Sequence, residues 1–115
     1  FVCIIVTNQP DVSRGKTTKN TVIKINNFLK KKIKLDDIFV CYHDDKENCN
    51  CRKPKPGLLL QAGKKWNVDL KKSFMIGDRR SDEMAAKKSN LFFEYVKNNF
   101  YNQVKNMEKK IANNY

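Results

Sequence analysis

Phe1-Val2-Cys3-Ile4-Ile5-Val6 is a continuous apolar run rich in β-branched residues, and Thr7-Asn8-Gln9 follows it directly. Branched side chains favour strands, and a run without polar alternation marks a strand covered on both faces, as in a parallel sheet. Cys3 lies inside this run and reads as a small core residue. From Thr7 to Lys16 the chain holds Pro10 and Gly15 and reads as a loop. Thr17 or Thr18 can cap a helix to about Lys32, with Val22, Ile25, Phe28 and Leu29 on one face. Ile38 to Tyr42 is a short strand. Pro56 suits the first turn of a helix carrying Leu58, Leu59, Leu60 and Ala62. Ser73 to Ile76 is a third strand, ending at Gly77-Asp78. Residues 81–89 read as a helix and Leu91 to Val96 as a further strand. Phe100, Val104, Met107 and Ile111 recur at helical spacing, so an amphipathic helix covers about residues 98–113. Strands alternating with helices predict an α/β protein, a Rossmann-like parallel sheet flanked by helices.

The 115 residues suit one domain, spanning 1–115, and 40% of them are hydrophobic. No apolar run approaches the ~20 residues of a membrane span, so no membrane partner is expected. The formal charge is +12. The lysines are spread along the chain among asparagines and isoleucines, and the densest run, Lys30-Lys31-Lys32, falls at a helix end where cations suit the dipole. There is no aromatic-plus-basic stripe and no finger-type spacing, so no nucleic-acid partner is expected. The chain begins at Phe1, inside a strand-like run, and reads as a fragment or a processed chain.

Three of the four cysteines and the single histidine fall between residues 41 and 51. Cys41-x-His43 and Cys49-x-Cys51 each put two ligands on one side of an extended segment, and the two arms can close on one ion. Cys₃His is a standard structural zinc set. The competing reading is a disulfide from Cys41 to Cys49 or Cys51, which a secreted protein would allow.

Parallel sheets gather their chemistry beyond the carboxyl ends of their strands. Thr7-Asn8-Gln9, Arg52-Lys53 and Asp78 to Asp82 all fall there. Thr7 offers a hydroxyl, Lys53 a compact cation, Gly77 a tight turn, and Asp78 and Asp82 hard oxygens suited to Mg²⁺. Together they suit a phosphate group with a magnesium ion.

Val6-Thr7-Asn8-Gln9 with Arg14-Gly15, the segment from Cys41 through Arg52-Lys53-Pro54-x-Pro56-Gly57, and Met75-Ile76-Gly77-Asp78 with Asp82 resemble the haloacid dehalogenase superfamily. Within it they resemble the zinc-containing histidinol-phosphate and D-glycero-D-manno-heptose 1,7-bisphosphate phosphatase group, over about residues 1–90. The resemblance implies attack by an aspartate on a sugar phosphate, an aspartyl-phosphate intermediate, and Mg²⁺ holding both phosphate and nucleophile. It implies that Thr7 and Lys53 stabilise the transferring phosphoryl group. Asp78 would bind Mg²⁺ with Asp82 beside it, and Asn8, Gln9, Arg52 and Arg79 would face the substrate. Zinc on Cys41, His43, Cys49 and Cys51 would brace the loop over 41–54. A cytoplasmic enzyme is expected, its oligomeric state open with a monomer favoured.

The family's Asp-x-Asp-Gly-Thr strand is absent, and Asp36-Asp37 and Asp44-Asp45 do not replace it. The expected sheet therefore lacks its first central strand, and these 115 residues alone should be inactive. Pro10-Asp11 stands where better-known members carry Ser-Gly. Lys87-Lys88-Ser89-Asn90 replaces a glycine-containing turn. Two other readings are a catalytically dead domain that binds phosphate or a partner, and a basic zinc-stabilised module for nucleic acid.

Overall fold

Strands and helices alternate in the order β1 (Ile4–Asn8), α1 (Lys19–Lys32), β2 (Asp37–Cys41), α2 (Gly57–Lys65), β3 (Phe74–Gly77), α3 (Arg80–Lys88), β4 (Phe92–Tyr95) and α4 (Phe100–Asn114). This computed structural model describes residues 1–33, 35–44 and 47–114, and Asn114 by its backbone alone. A 3-10 turn at Leu70–Lys72 precedes β3. It has no helical or strand periodicity in the sequence and was not expected.

All pairing is parallel. β1 lies beside β2, with Ile4 opposite Asp37 and Asn8 opposite Cys41. β3 lies beside β4, with Phe74 opposite Phe92 and Gly77 opposite Tyr95. Among the described residues β1 and β3 do not pair, so the sheet is in two halves. Both halves present carboxyl ends carrying polar residues, Thr7-Asn8 after one and Gly77-Asp78 after the other.

The first strand starts later than its apolar run. Phe1, Val2 and Cys3 are exposed, and β1 begins at Ile4, opposite Asp37, with the Asp36 N–H donating to the Cys3 carbonyl at 2.9 Å just before it. Cys3 is therefore not in the core. Its N–H donates to Asp36 Oδ2 at 2.7 Å instead. β1 is half-buried along its length rather than covered on both faces, and it includes Thr7 and Asn8.

α1 starts where its capping residue places it. The Thr18 hydroxyl accepts from the Thr21 N–H at 3.1 Å. Its expected apolar face is only partly used. Val22 is buried, but Ile25 and Phe28 are 54% and 59% exposed. They sit about 60° and 120° round the helix from Val22, beyond the stripe that packs on β2. α2 begins just after Pro56, and its Leu58, Leu59 and Ala62 join Cys41, Ala85 and Ala86 in the core, while Leu60 faces outward. On α4 the buried residues are Gln103, Met107 and Ile111. Phe100 is exposed, and Gln103 takes the inward place because its amide caps the end of β4. Gln103 Nε2 donates to Tyr95 O at 2.8 Å and to Glu94 Oε1 at 3.0 Å, and its Oε1 accepts from the Lys97 N–H at 2.9 Å.

Asp37 ties the first half of the sheet to both flanking helices. Its carboxylate accepts from Lys65 Nζ at 2.6 Å, Trp66 Nε1 at 2.8 Å and the Ile38 N–H at 2.8 Å, with Lys30 Nζ at 3.7 Å. Burial alone would raise its pKa, but these donors outweigh it and hold the group down at about 2. A depressed carboxylate stabilises the fold above its unfolded pKa and loses that stabilisation as pH falls toward about 2. Asp37→Asn is expected to lower stability near neutrality by about 2 kcal/mol. The deficit should shrink as pH falls from 4 toward 2, measured as paired urea unfolding curves. A deficit constant across that window would remove Asp37 as a source of acid sensitivity.

Candidate active site and metal centre

Lys53 bridges the two halves of the sheet. Its ammonium lies 2.5 Å from Asp82 Oδ1, beyond β3, and donates to the Val6 carbonyl of β1 at 3.4 Å. Both side chains are largely buried, at 13% and 5% exposure. Asn8 grips the backbone of the same lysine from either side. The Lys53 N–H donates to Asn8 Oδ1 at 3.2 Å, and Asn8 Nδ2 donates to the Lys53 carbonyl at 3.5 Å. The Lys53-Pro54 peptide is cis.

Asp82 lies in the first turn of α3, where a carboxylate suits the helix dipole. Its Oδ2 accepts from the N–H groups of Asp78 and Arg79, both at 3.2 Å. That carboxylate folds tightly under the turn, and Gly77 permits it. A Cβ at Gly77 would stand 2.6 Å from Asp82 Cβ. Burial pushes the Asp82 carboxyl up, but the Lys53 hydrogen bond and charge and the two N–H donors pull it below its ordinary value. Asp82 is therefore an ionised counter-charge to Lys53.

Thr7, between Val6 and Asn8, is half-buried. Its hydroxyl donates weakly to the Asn8 carbonyl at 3.5 Å and accepts from Gln9 Nε2 at 3.4 Å. Asp78 and Arg79 are exposed on the turn after β3. Arg52 is half-buried, and its Nη1 donates to the His43 carbonyl at 3.5 Å. The fold thus gathers Thr7, Asn8, Gln9, Lys53 and Asp82 at one edge, with Asp78 on the turn beside them. Asp82 Oδ1 is buried against the Lys53 ammonium. Both Asp82 oxygens are engaged, Oδ1 by Lys53 and Oδ2 by the turn, so the fit to Mg²⁺ rests on the exposed Asp78 carboxylate beside them, a hard oxygen of the type the ion takes.

Beyond β2, Cys41 Sγ, His43 Nδ1, Cys49 Sγ and Cys51 Sγ lie within 4.8 Å of one another. Cys41 is 3.5 Å from Cys49, Cys51 is 3.7 Å from Cys49, and the imidazole is 3.6 Å and 3.3 Å from Cys41 and Cys51. Cys41 and Cys51 approach to 2.7 Å. A tetrahedral zinc with bonds of about 2.3 Å separates its sulfurs by about 3.8 Å, close to most of these edges. All four cysteines are free, and three of them share this cluster with His43.

Crowded thiols cannot all ionise without a cation. Burial and hydrogen bonds to Cys41 and Cys49 push Cys51 up to about 12, and burial pushes Cys41 up as well. At Cys49 burial also acts upward, but the Arg52 N–H and the neighbouring thiols outweigh it and bring the group to about 6. One thiolate among protonated partners is a set that a divalent soft cation would complete.

The rest of the loop closes against α2. Lys55 Nζ donates to the Cys49 carbonyl at 2.5 Å and to Asn48 Oδ1 at 3.0 Å. The Gly57 N–H donates to the Asn50 carbonyl at 3.2 Å, and a Cβ at Gly57 would fall 2.2 Å from that oxygen. Glycine is required there by close backbone approach. Two contacts had no signal in the sequence: Arg14 with Asp44, and Ser13 with Glu47. Charge complementarity between two loops shows only once they are folded together.

A family profile described as HAD-hydrolase-like matches residues 50–115, more than half of the chain. A Campylobacter jejuni protein named D-glycero-alpha-D-manno-heptose-1,7-bisphosphate 7-phosphatase is 35% identical over 98% of this chain and 70% of its own length. The chain belongs to the HAD-like hydrolases, in their heptose bisphosphate phosphatase group. A Helicobacter pylori (strain J99) D-glycero-beta-D-manno-heptose-1,7-bisphosphate 7-phosphatase is 39% identical, over 75% of this chain and 53% of its own length. This HAD-like chain spans about half the length of most of the curated relatives it matches. A crystal structure of D,D-heptose 1,7-bisphosphate phosphatase from B. bronchiseptica, complexed with magnesium and phosphate, superposes with a TM-score of 0.75 at 26% identity. It covers 91% of this chain and 62% of that one. A Mesorhizobium loti structure described as HAD-like superposes at 0.77 with 20% identity, covering 98% and 66%, which bears on the fold alone.

Proposed function

We propose that this HAD-like chain carries the phosphate-gripping part of a Mg²⁺-dependent phosphatase acting on a sugar phosphate such as D-glycero-D-manno-heptose 1,7-bisphosphate. The observation that carries this reading is the buried Lys53–Asp82 pair at the carboxyl ends of β1 and β3. It fixes the Lys53 ammonium between the two strand ends, where in this reading it meets the phosphate. In this reading the Thr7 hydroxyl and the Lys53 ammonium receive charge developing on the phosphoryl oxygens. Asp82 orients that ammonium, and Asn8 fixes the peptide that bears it. Gln9, Arg52 and Arg79 face the rest of the substrate. Asp78 would hold Mg²⁺, with the Lys53-paired Asp82 beside it, and the ion when bound neutralises charge on phosphate oxygens. Cys41, His43, Cys49 and Cys51 would hold zinc and brace Arg52 and Lys53. These 115 residues contain no Asp-x-Asp-Gly-Thr, so an aspartyl-phosphate route needs a carboxylate supplied from outside them.

The reading treats residues 1–115 as one partial hydrolase domain of a monomeric cytoplasmic enzyme, with a small-molecule substrate and no nucleic-acid or membrane partner. Among the described residues no helix is long and apolar enough to cross a membrane. The test is phosphate release by the protein from its whole reading frame, with and without Mg²⁺. Turnover of heptose 1,7-bisphosphate that requires Mg²⁺ is expected. A zinc-replete protein with no turnover on any sugar phosphate would overturn the assignment.

A further inference from the structure

His43 enters the cysteine cluster through Nδ1, which leaves Nε2 on the outer side of the ring. A ligating imidazole is held by whatever receives its second N–H. Glu47 Oε2 stands 4.0 Å from that nitrogen. The other oxygen of Glu47 accepts from the Ser13 hydroxyl and from the Asp44 N–H, the latter at 3.2 Å. Asp44 follows His43 directly and pairs with Arg14 through two contacts, Nε at 2.6 Å and Nη2 at 3.2 Å. Both attachments therefore land on adjacent residues, Ser13 and Arg14.

Residues 9–17 form a tight turn of their own. The Arg14 N–H donates to the Pro10 carbonyl at 3.0 Å, the Lys16 N–H donates to the Asp11 carbonyl at 2.9 Å, and Gly15 takes a left-handed φ of 74°. This turn starts directly after Asn8, the residue that grips Lys53. Loop 9–17, Glu47 and His43 are thus linked in series.

We propose that Glu47 is the positioning partner of the metal ligand His43, and that through Ser13 it ties metal occupancy to the order of loop 9–17. This rests on the zinc reading of the cluster. A carboxylate that receives the outer imidazole N–H fixes the ring and makes it a better ligand. Zinc bound by His43 in turn holds Glu47, and Glu47 holds the turn at Ser13. Arg14–Asp44 sets the same turn without touching a ligand side chain, so the two links can be separated.

The experiment uses the full-length protein and measures zinc affinity by competition with a chelating dye. Amide hydrogen exchange of residues 9–17 is followed with zinc bound and removed. Glu47→Gln is expected to weaken zinc binding about 10- to 100-fold and to raise exchange in 9–17. Ser13→Ala is expected to raise exchange in 9–17 while leaving zinc affinity within about twofold. One zinc per chain with unaltered affinity in Glu47→Gln would overturn the role of Glu47. Exchange in 9–17 that ignores metal removal would overturn the coupling. A wild-type chain that binds no zinc would instead overturn the metal reading itself.

Discussion

Lys53→Ala in the full-length protein is expected to lower kcat for phosphate release by about 10²- to 10³-fold, the usual loss when one preorganised charge donor is removed. The lysine cannot be treated as a surface charge. Its ammonium is 2.5 Å from Asp82 and largely buried. Removing it also strands a buried carboxylate, and breaking such a pair costs about 3–5 kcal/mol of stability. The two consequences are separable. In a Lys53→Met, Asp82→Asn double variant no charge is left unpaired, and the asparagine oxygen can still accept from the Asp78 and Arg79 N–H groups. Stability should return in large part while turnover stays low. Turnover that recovers together with stability in the double variant would mean that Lys53 only holds the fold together. The assay is phosphate release beside urea unfolding for both variants.

Cys49→Ser should lower bound zinc below one per chain. The serine hydroxyl is a poor replacement for the one thiol of the cluster already drawn to about 6. Structural zinc sites contribute about 10–16 kcal/mol of apparent binding energy in finger peptides, so losing one ligand should loosen the whole loop. Residues 47–57 depend on that closure. The Lys55 and Gly57 contacts to Cys49 and Asn50 hold the loop against α2, and Lys53 lies between them. Elemental analysis gives the zinc content, and amide exchange reports residues 41–44 and 47–57. An unchanged zinc content would refute the Cys₃His assignment.

Much of this site was legible because its parts are local. Cys-x-His and Cys-x-Cys are local spacings, and the fold brings these four side chains within 4.8 Å of one another. Thr18 announces the start of α1, and Gly77-Asp78 a turn at the end of a strand. Fold class followed in the same way, since apolar runs alternating with helical periods leave few architectures.

What failed to read was everything set by neighbours across the fold. Phe1 to Cys3 is as apolar as the strand behind it, yet it is exposed and lies outside the ladder, which begins at Ile4 opposite Asp37. Ile25 and Phe28 continue the apolar pattern of α1, but β2 covers only the side bearing Val22. Gln103 is buried in a helix whose pattern pointed to Phe100, because the carbonyl and N–H left at the end of β4 need a partner.

The sequence by itself determined the α/β class, the Cys-x-His and Cys-x-Cys pairs that come together beyond β2 and the set of polar residues at strand ends, since each depends on spacing within a few residues. Only the tertiary structure decided that Asn8 holds the Lys53 backbone, that Asp82 is spent on Lys53 and the turn, and that Glu47 reaches both His43 and Ser13. Three of those contacts, Asn8 with Lys53, Lys53 with Asp82 and Ser13 with Glu47, join residues 29 to 45 positions apart, and the others turn on which way a carboxylate points. Their energies exist only after the chain has closed the loops between them.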